Sequence, residues 1–421
     1  MGSVSSVADA SGWRDSRSSR RHITAGATLR SSARPPSPRL EYVDSLRAVA
    51  IVSVVLVHVA EVFNPWDEWH IANAERSRLV GEIAVLAAPW VMPLVMLLAG
   101  VGAAFSLRSR SNRTYIRERA VRLLLPLATG VLALVPPQVY LERRLRGQFT
   151  GSFLEFYPHF FEGIYPRGNF SWHHLWFLAH LFAYSVVAIP LFRYLSGPRG
   201  GRLLALLARW CGRPGGILWL AVPLILERNL LWGLFPERHM LATDWSNHAL
   251  LFVAYVYGFV LANSPWLVDA IDTQWPRAAG VAAIGTALLT IGTWSGLVPA
   301  RIPPPYSFQY LAFWTLYGVC AWGWMVALLG IARRWLDRPR PILAHARRLG
   351  YALYVVHQPI IIGVAYVVVQ WHVPVLLKFV VTLAASVSGT IVVAELCARF
   401  STTRGLLGLS PMHRAPSQGV A

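Results

Sequence analysis

Long apolar runs separated by short arginine-bearing segments make up most of the chain from residue 46 onward. About 20 residues of helix cross the hydrocarbon core of a bilayer. Ten runs approach or reach that length, near 46–63, 78–106, 122–141, 173–195, 215–234, 246–263, 278–298, 309–332, 350–370 and 374–397. The second holds Pro89 and Pro93, which predicts a kink. The fifth is the weakest, because Glu227-Arg228-Asn229 interrupts it. The pattern predicts an all-α integral membrane protein, a bundle of about ten transmembrane helices. No internal repeat stands out, which weighs against the inverted-repeat transporters.

Composition and charge sharpen this picture. The 421 residues are 55% hydrophobic and 14% charged, against about 25% charged in soluble domains. A soluble domain is excluded, and the weak strand alternation of a membrane barrel is missing. A net charge of +19 would suggest nucleic acid in a soluble protein. Here the charge alternates by loop. With the N-terminus inside, 28 of the 39 basic residues fall in inner segments and nine in outer loops. That split follows the positive-inside rule, so both termini are expected in the cytoplasm and no nucleic-acid partner is expected. The lipid bilayer is the expected partner, and a bacterial inner (plasma) membrane the expected location.

Residues 1–38 are rich in Ser, Arg, Ala and Pro with two acids, and predict a disordered basic cytoplasmic tail. Residues 39–400 form the membrane domain, and 401–421 a second cytoplasmic tail. The largest outer loop, 142–172, is too short for a soluble domain, so the helices are expected to do the chemistry. Cys211, Cys320 and Cys397 lie far apart, with neither a disulfide framework nor zinc spacing, and no metal is expected.

The first run carries unusual polarity. His58 stands eleven positions after Arg47, within about 20° of three helical turns, so both side chains share a face about 16 Å apart along the axis. Glu61 falls on nearly the same face. Polar groups inside a membrane helix are costly and tend to mark function. Arg47, placed in the first turn, faces an unfavourable macrodipole. Asp44 could pair with it as a plain membrane anchor, or an anionic ligand could bind it together with free backbone N–H groups. His58 could bridge two helices as a neutral ring or accept a proton as a general base, with Glu61 as its orienting partner. On the fourth run His173, Trp176, His180 and Tyr184 share a face, as an acceptor cavity or as an interfacial belt. Pro359 frees a carbonyl one turn back on the ninth run.

An Arg, ten residues and a His in the first membrane helix resembles the signature of the acyltransferase-3 family of membrane O-acyltransferases. Met96-Leu-Leu-Ala-Gly100 with the basic run Arg108 to Arg122 and Leu-Leu-Leu-Pro126 resembles that family's second helix and arginine-rich loop. His174-Leu-Trp176-Phe-Leu178 resembles its His-Leu-Trp-Phe-Leu element and points towards the glucan-modifying branch. Gly350-Tyr-Ala-Leu-Tyr354-Val-Val-His357-Gln358-Pro359 resembles its late Tyr-x-x-Tyr-x-x-His-x-Pro element, with Gly350 where Ser is usual.

The resemblance implies an acyl-CoA donor, acetyl-CoA or succinyl-CoA, approaching from the cytoplasm, and a carbohydrate or other hydroxyl acceptor. On that reading His58 and Glu61 are the catalytic pair. Arg47, Arg119 and Arg122 hold the donor, while His174, Trp176, His180, Tyr354 and His357 line the acceptor site. The alternative is a secondary transporter with an intramembrane Arg/His/Glu relay, which accounts for Arg47, His58 and Glu61 but not for the three later elements.

Overall fold

The computed structural model describes residues 40–409 apart from 238–239 and 297–301. The tail read over 1–38, and the last part of the one read over 401–421, lie outside the described residues.

The first part of the chain forms α1 (Glu41–Glu61), α2 (Arg78–Ala87), α3 (Val91–Ser109), α4 (Asn112–Ala133), α5 (Val135–Leu145) and α6 (Phe153–His159). The middle forms α7 (Trp176–Val187), α8 (Ile189–Leu195), α9 (Pro198–Cys211), α10 (Val222–Leu231) and α11 (Trp245–Asn263). α12 (Pro265–Trp294), α13 (Phe308–Ile331), α14 (Pro341–Val368), α15 (Val375–Arg399) and α16 (Ser401–Leu406) complete the described residues. The described residues hold no strand beyond an isolated bridge between Ile164 and Phe170.

Among the described residues, seven helical segments are long and apolar enough to cross a membrane, or eight if the bent pair α7–α8 is one span. Those seven are α1, α2–α3, α4–α5, α11, α13, α14 and α15, and the last helix among the described residues is the short α16. The predicted kink in the second span is a break at 88–90, between α2 and α3, where Pro89 lies. α7 and α8 meet at 51°, with Pro190 in the first turn of α8. The fifth run becomes a 3₁₀ turn over Gly216–Ala221 followed by the ten residues of α10.

Several helices start earlier than the apolar pattern suggested, for local reasons. Ser111 Oγ accepts from Thr114 N at 3.2 Å and caps α4 inside the arginine-rich stretch. Proline in the first turn opens α12 and α14. α1 begins at Glu41, because Asp337 Oδ1 accepts from the backbone N–H of Tyr42 at 3.1 Å and Ser45 Oγ donates to Leu336 O at 3.1 Å. Arg47 therefore lies in the second turn, its helix start already capped by a carboxylate.

Helix contacts rest on small residues, as membrane packing favours. A Cβ on Gly100 would collide with the carbonyl of Tyr255, and one on Gly258 with that of Leu97, so α3 and α11 touch backbone to backbone. Gly323 and Gly330 of α13 lie against Ala282 and Trp275 of α12. Tyr255, Leu94 and Phe259 are among the residues buried in this core. The loop 62–77 is fastened to α15 by Lys378, which is buried and donates to Asn73 Oδ1 and Val369 O, each at 3.0 Å.

Candidate functional site

The last turn of α1 meets α14. Nδ1 of His58 lies 3.0 Å from Nε2 of His357. Nδ1 of His357 lies 2.6 Å from the carbonyl of Tyr354, one turn back on α14. A carbonyl only accepts, so His357 carries its proton on Nδ1 and, when neutral, accepts at Nε2. His58 then donates from Nδ1, and its lone pair lies on Nε2. The backbone of α14 thus fixes the tautomer of His58 through one intervening ring. Trp69 stacks on the His58 ring at 5.8 Å between centroids.

Pro359 supplies the next contact. It has no N–H for the carbonyl of Val355, and that oxygen accepts instead from His174 Nε2 at 2.9 Å. In return Tyr354 Oη donates to His174 O at 2.5 Å. The His174 ring stands perpendicular to His357, 5.1 Å away, and its Nδ1 has no partner among the described residues. Gln358 Nε2 reaches Gln138 Oε1 on α5 at 3.2 Å. Two sequence elements nearly 200 residues apart thus lock together through a hydrogen bond that proline makes available.

The other predicted residues divide between neighbouring groups. His180 Nδ1 donates to Trp176 O at 2.9 Å, and its ring stacks on His248 at 4.7 Å. Tyr184 Oη lies 2.8 Å from His248 Nδ1. Trp176, His180 and Tyr184 therefore build a second polar cluster between α7 and α11, while His174 joins His58. Glu61 Oε2 accepts from Asn64 Nδ2 at 2.7 Å, whereas the ring meeting His58 Nδ1 is that of His357.

At the other end of α1, Arg47 pairs with Asp44 at 2.8 Å and donates to Leu98 O at 3.3 Å. Arg347 of α14 binds the second oxygen of Asp44 at 3.0 Å. Arg119 and Arg122 lie within electrostatic range of Arg47. The guanidinium of Arg119 covers the ring of Tyr115 at 5.1 Å. Several cations thus gather around two carboxylates, Asp44 and, 3.6 Å from Arg347, Glu41, and the Arg47 side chain stays 45% exposed. An excess of forked donors with room beside them suits a phosphate-bearing ligand.

Sequence reasoning did not single out His70, Glu142 or Tyr165. Glu142, fully buried, takes His70 Nδ1 at 3.0 Å on Oε2 and Arg146 at 3.2 Å on Oε1. Tyr165 Oη donates to Glu142 at 3.2 Å. Burial and then the charge of Glu142 raise the Tyr165 phenol above its usual range, keeping it a donor. His70 stacks on His173 at 4.1 Å, and Trp69 lies between His70 and His58. The local signal was a run of polar residues at the end of a helix, which any loop shares.

Compared with known families, residues 40–395 match the model of an acyltransferase domain, the acyltransferase-3 domain. The match covers most of the chain, so the protein belongs to that family and is a multi-pass membrane acyltransferase. Neither the curated proteins nor the solved structures gave a match.

Proposed function

We propose that this acyltransferase moves an acyl group from acyl-CoA to a hydroxyl of a carbohydrate or glycosylated acceptor, with His58 as general base. The observation that carries the reading is the fixed tautomer of His58, whose Nε2 lone pair is set by His357 and the Tyr354 carbonyl.

The donor's phosphates would lie at Arg47, Arg119 and Arg122 on the cytoplasmic side, with Arg347 nearby. Extended along α1, the pantetheine arm would bring its thioester towards His58. The acceptor oxygen attacks the thioester carbonyl, and a C–O bond forms as the C–S bond breaks. The hydroxyl proton passes to His58 Nε2 and then to the departing thiolate, giving an ester and free CoA thiol. His357 orients the base from its Nδ1 side, with Glu61 one turn further along α1, where it also accepts from Asn64. Tyr354 and His174 hold that geometry, and Trp176 and His180 extend the acceptor-facing surface. Ten crossings with both termini cytoplasmic, in a bacterial inner membrane, complete the proposal.

The test is acyl transfer by purified His58 variants, read as thiol release from acetyl-CoA or succinyl-CoA. His58→Ala should keep its fold and donor binding, yet lose at least about 100-fold in rate. His58→Gln should not rescue it, because an amide cannot carry the proton away. A stable, active His58→Gln protein would end the general-base assignment.

A further inference from the structure

We propose that His70, Glu142 and His173 form a binding site for a zinc-class divalent cation. One ligand atom from each lies within 4.8 Å of the other two. The set is two imidazoles and one carboxylate, the donors that suit zinc and its neighbours, with a fourth position left for water or another oxygen. Metal–ligand distances near 2.0–2.2 Å require only that the three side chains draw together by an ångström or so.

Three observations separate this trio from a chance cluster. First, Nε2 of His173 is buried and has no hydrogen-bond partner among the described residues, in a side chain 7% exposed. Its Nδ1 is held by Ser171 Oγ at 2.9 Å, which leaves Nε2 as the nitrogen to ligate. Second, His173 adopts φ 42°, a left-handed conformation that is costly for a non-glycine residue and persists where surroundings over-determine it. Third, the two oxygens of Glu142 are divided by task. Oε1 faces Arg146 at 3.2 Å and Arg143 at 3.9 Å, while Oε2 faces His70 at 3.0 Å. Tyr165 Oη, 3.2 Å from His70 Nδ1, stands at the remaining corner.

The two guanidiniums draw charge from Glu142, so the imidazoles must dominate the affinity. The site should therefore take Zn²⁺ or Co²⁺ and pass over Mg²⁺ and Ca²⁺, which need oxygen ligands. The site does not depend on the acyl-transfer reading, because the ligands are complete without donor or acceptor.

The test uses the full-length, tag-free protein in detergent after chelator treatment and desalting. Zn²⁺ is titrated against a chromogenic chelator, Co²⁺ by its visible absorption, and melting temperature is read with Zn²⁺ or Mg²⁺. Expected are about one equivalent of Zn²⁺, a melting temperature raised by Zn²⁺ but not Mg²⁺, and absorption typical of four-coordinate Co²⁺. His173→Ala and Glu142→Gln should each weaken binding at least about tenfold, and His372→Ala, at an exposed histidine, should leave it unchanged. The proposal is overturned by any of three results: no saturable Zn²⁺ binding, no zinc-specific thermal shift of the unmutated protein, or loss of binding in His372→Ala alone.

Discussion

Replacing His357 isolates the step on which the assignment of His58 rests. The ring contributes one neutral hydrogen bond, 3.0 Å from His58 Nδ1, and it holds its own tautomer through the Tyr354 carbonyl at 2.6 Å. Such a bond is worth about 1 kcal/mol net, and about 1.4 kcal/mol is a factor of ten. His357→Ala should therefore lower kcat by about five- to tenfold as the His58 proton moves between nitrogens. KM for the donor should hold, because the arginine cluster lies about 16 Å away along α1. His357→Gln is the decisive variant. Its side-chain carbonyl can accept from His58 Nδ1, so activity should return to within about threefold of the unmutated protein. Both variants are assayed by thiol release at saturating acceptor, with melting temperature followed in parallel. If His357→Gln instead falls by about 100-fold or more while remaining folded, the proton goes to His357 itself. His58 is then not the base that the Tyr354 carbonyl prepares.

Pro359→Ala restores an N–H that competes with His174 for the Val355 carbonyl; melting temperature should hold or rise while transfer falls several-fold, and unchanged transfer would mean the His174 contact is idle. Gly258→Leu drives a side chain into the Leu97 carbonyl and should cost about 1–3 kcal/mol or more, seen as a lower melting temperature in detergent. Gly280→Ala, with open space around it, should melt no lower than the parent. Cysteines placed at the exposed Ser111 and Ser196 should resist an impermeant thiol reagent in intact cells, whereas one at Ser152 should react. Labelling at Ser111 from outside would break the proposed topology.

The stripe of Arg47 and His58 was legible because a single helix sets their relation, and helical period needs no partner. The freed carbonyl beneath Pro359 was legible for the same reason, since the missing donor is local. Its partner was not: nothing between residues 174 and 355 says that His174 Nε2 will find Val355. The orienting neighbour of His58 shows the same boundary. Spacing could propose Glu61 on the same helix, but it could not offer His357, which meets Nδ1 from α14, 299 residues on. The stripe of His173, Trp176, His180 and Tyr184 was visible, but its division between His70 and His248 depends on a distant loop and a second helix. His70, Glu142 and His173 come from a loop, a helix end and a strained turn, so ligand spacing along the chain could not reveal them. Helix starts were misjudged where polar caps, rather than apolar residues, decide them, as at Ser111 and Asp337.

Lys378 is the single lysine of the chain. Its ammonium is spent inside the protein, on Asn73 and the Val369 carbonyl, and it anchors the loop whose Trp69 lies on the His58 ring. Amine-directed reagents thus meet no exposed lysine on the closed protein. Any acylation of Lys378 would count the moments at which its two hydrogen bonds open, so the chain carries its own stopwatch for exposure of His58, readable by mass spectrometry without a label.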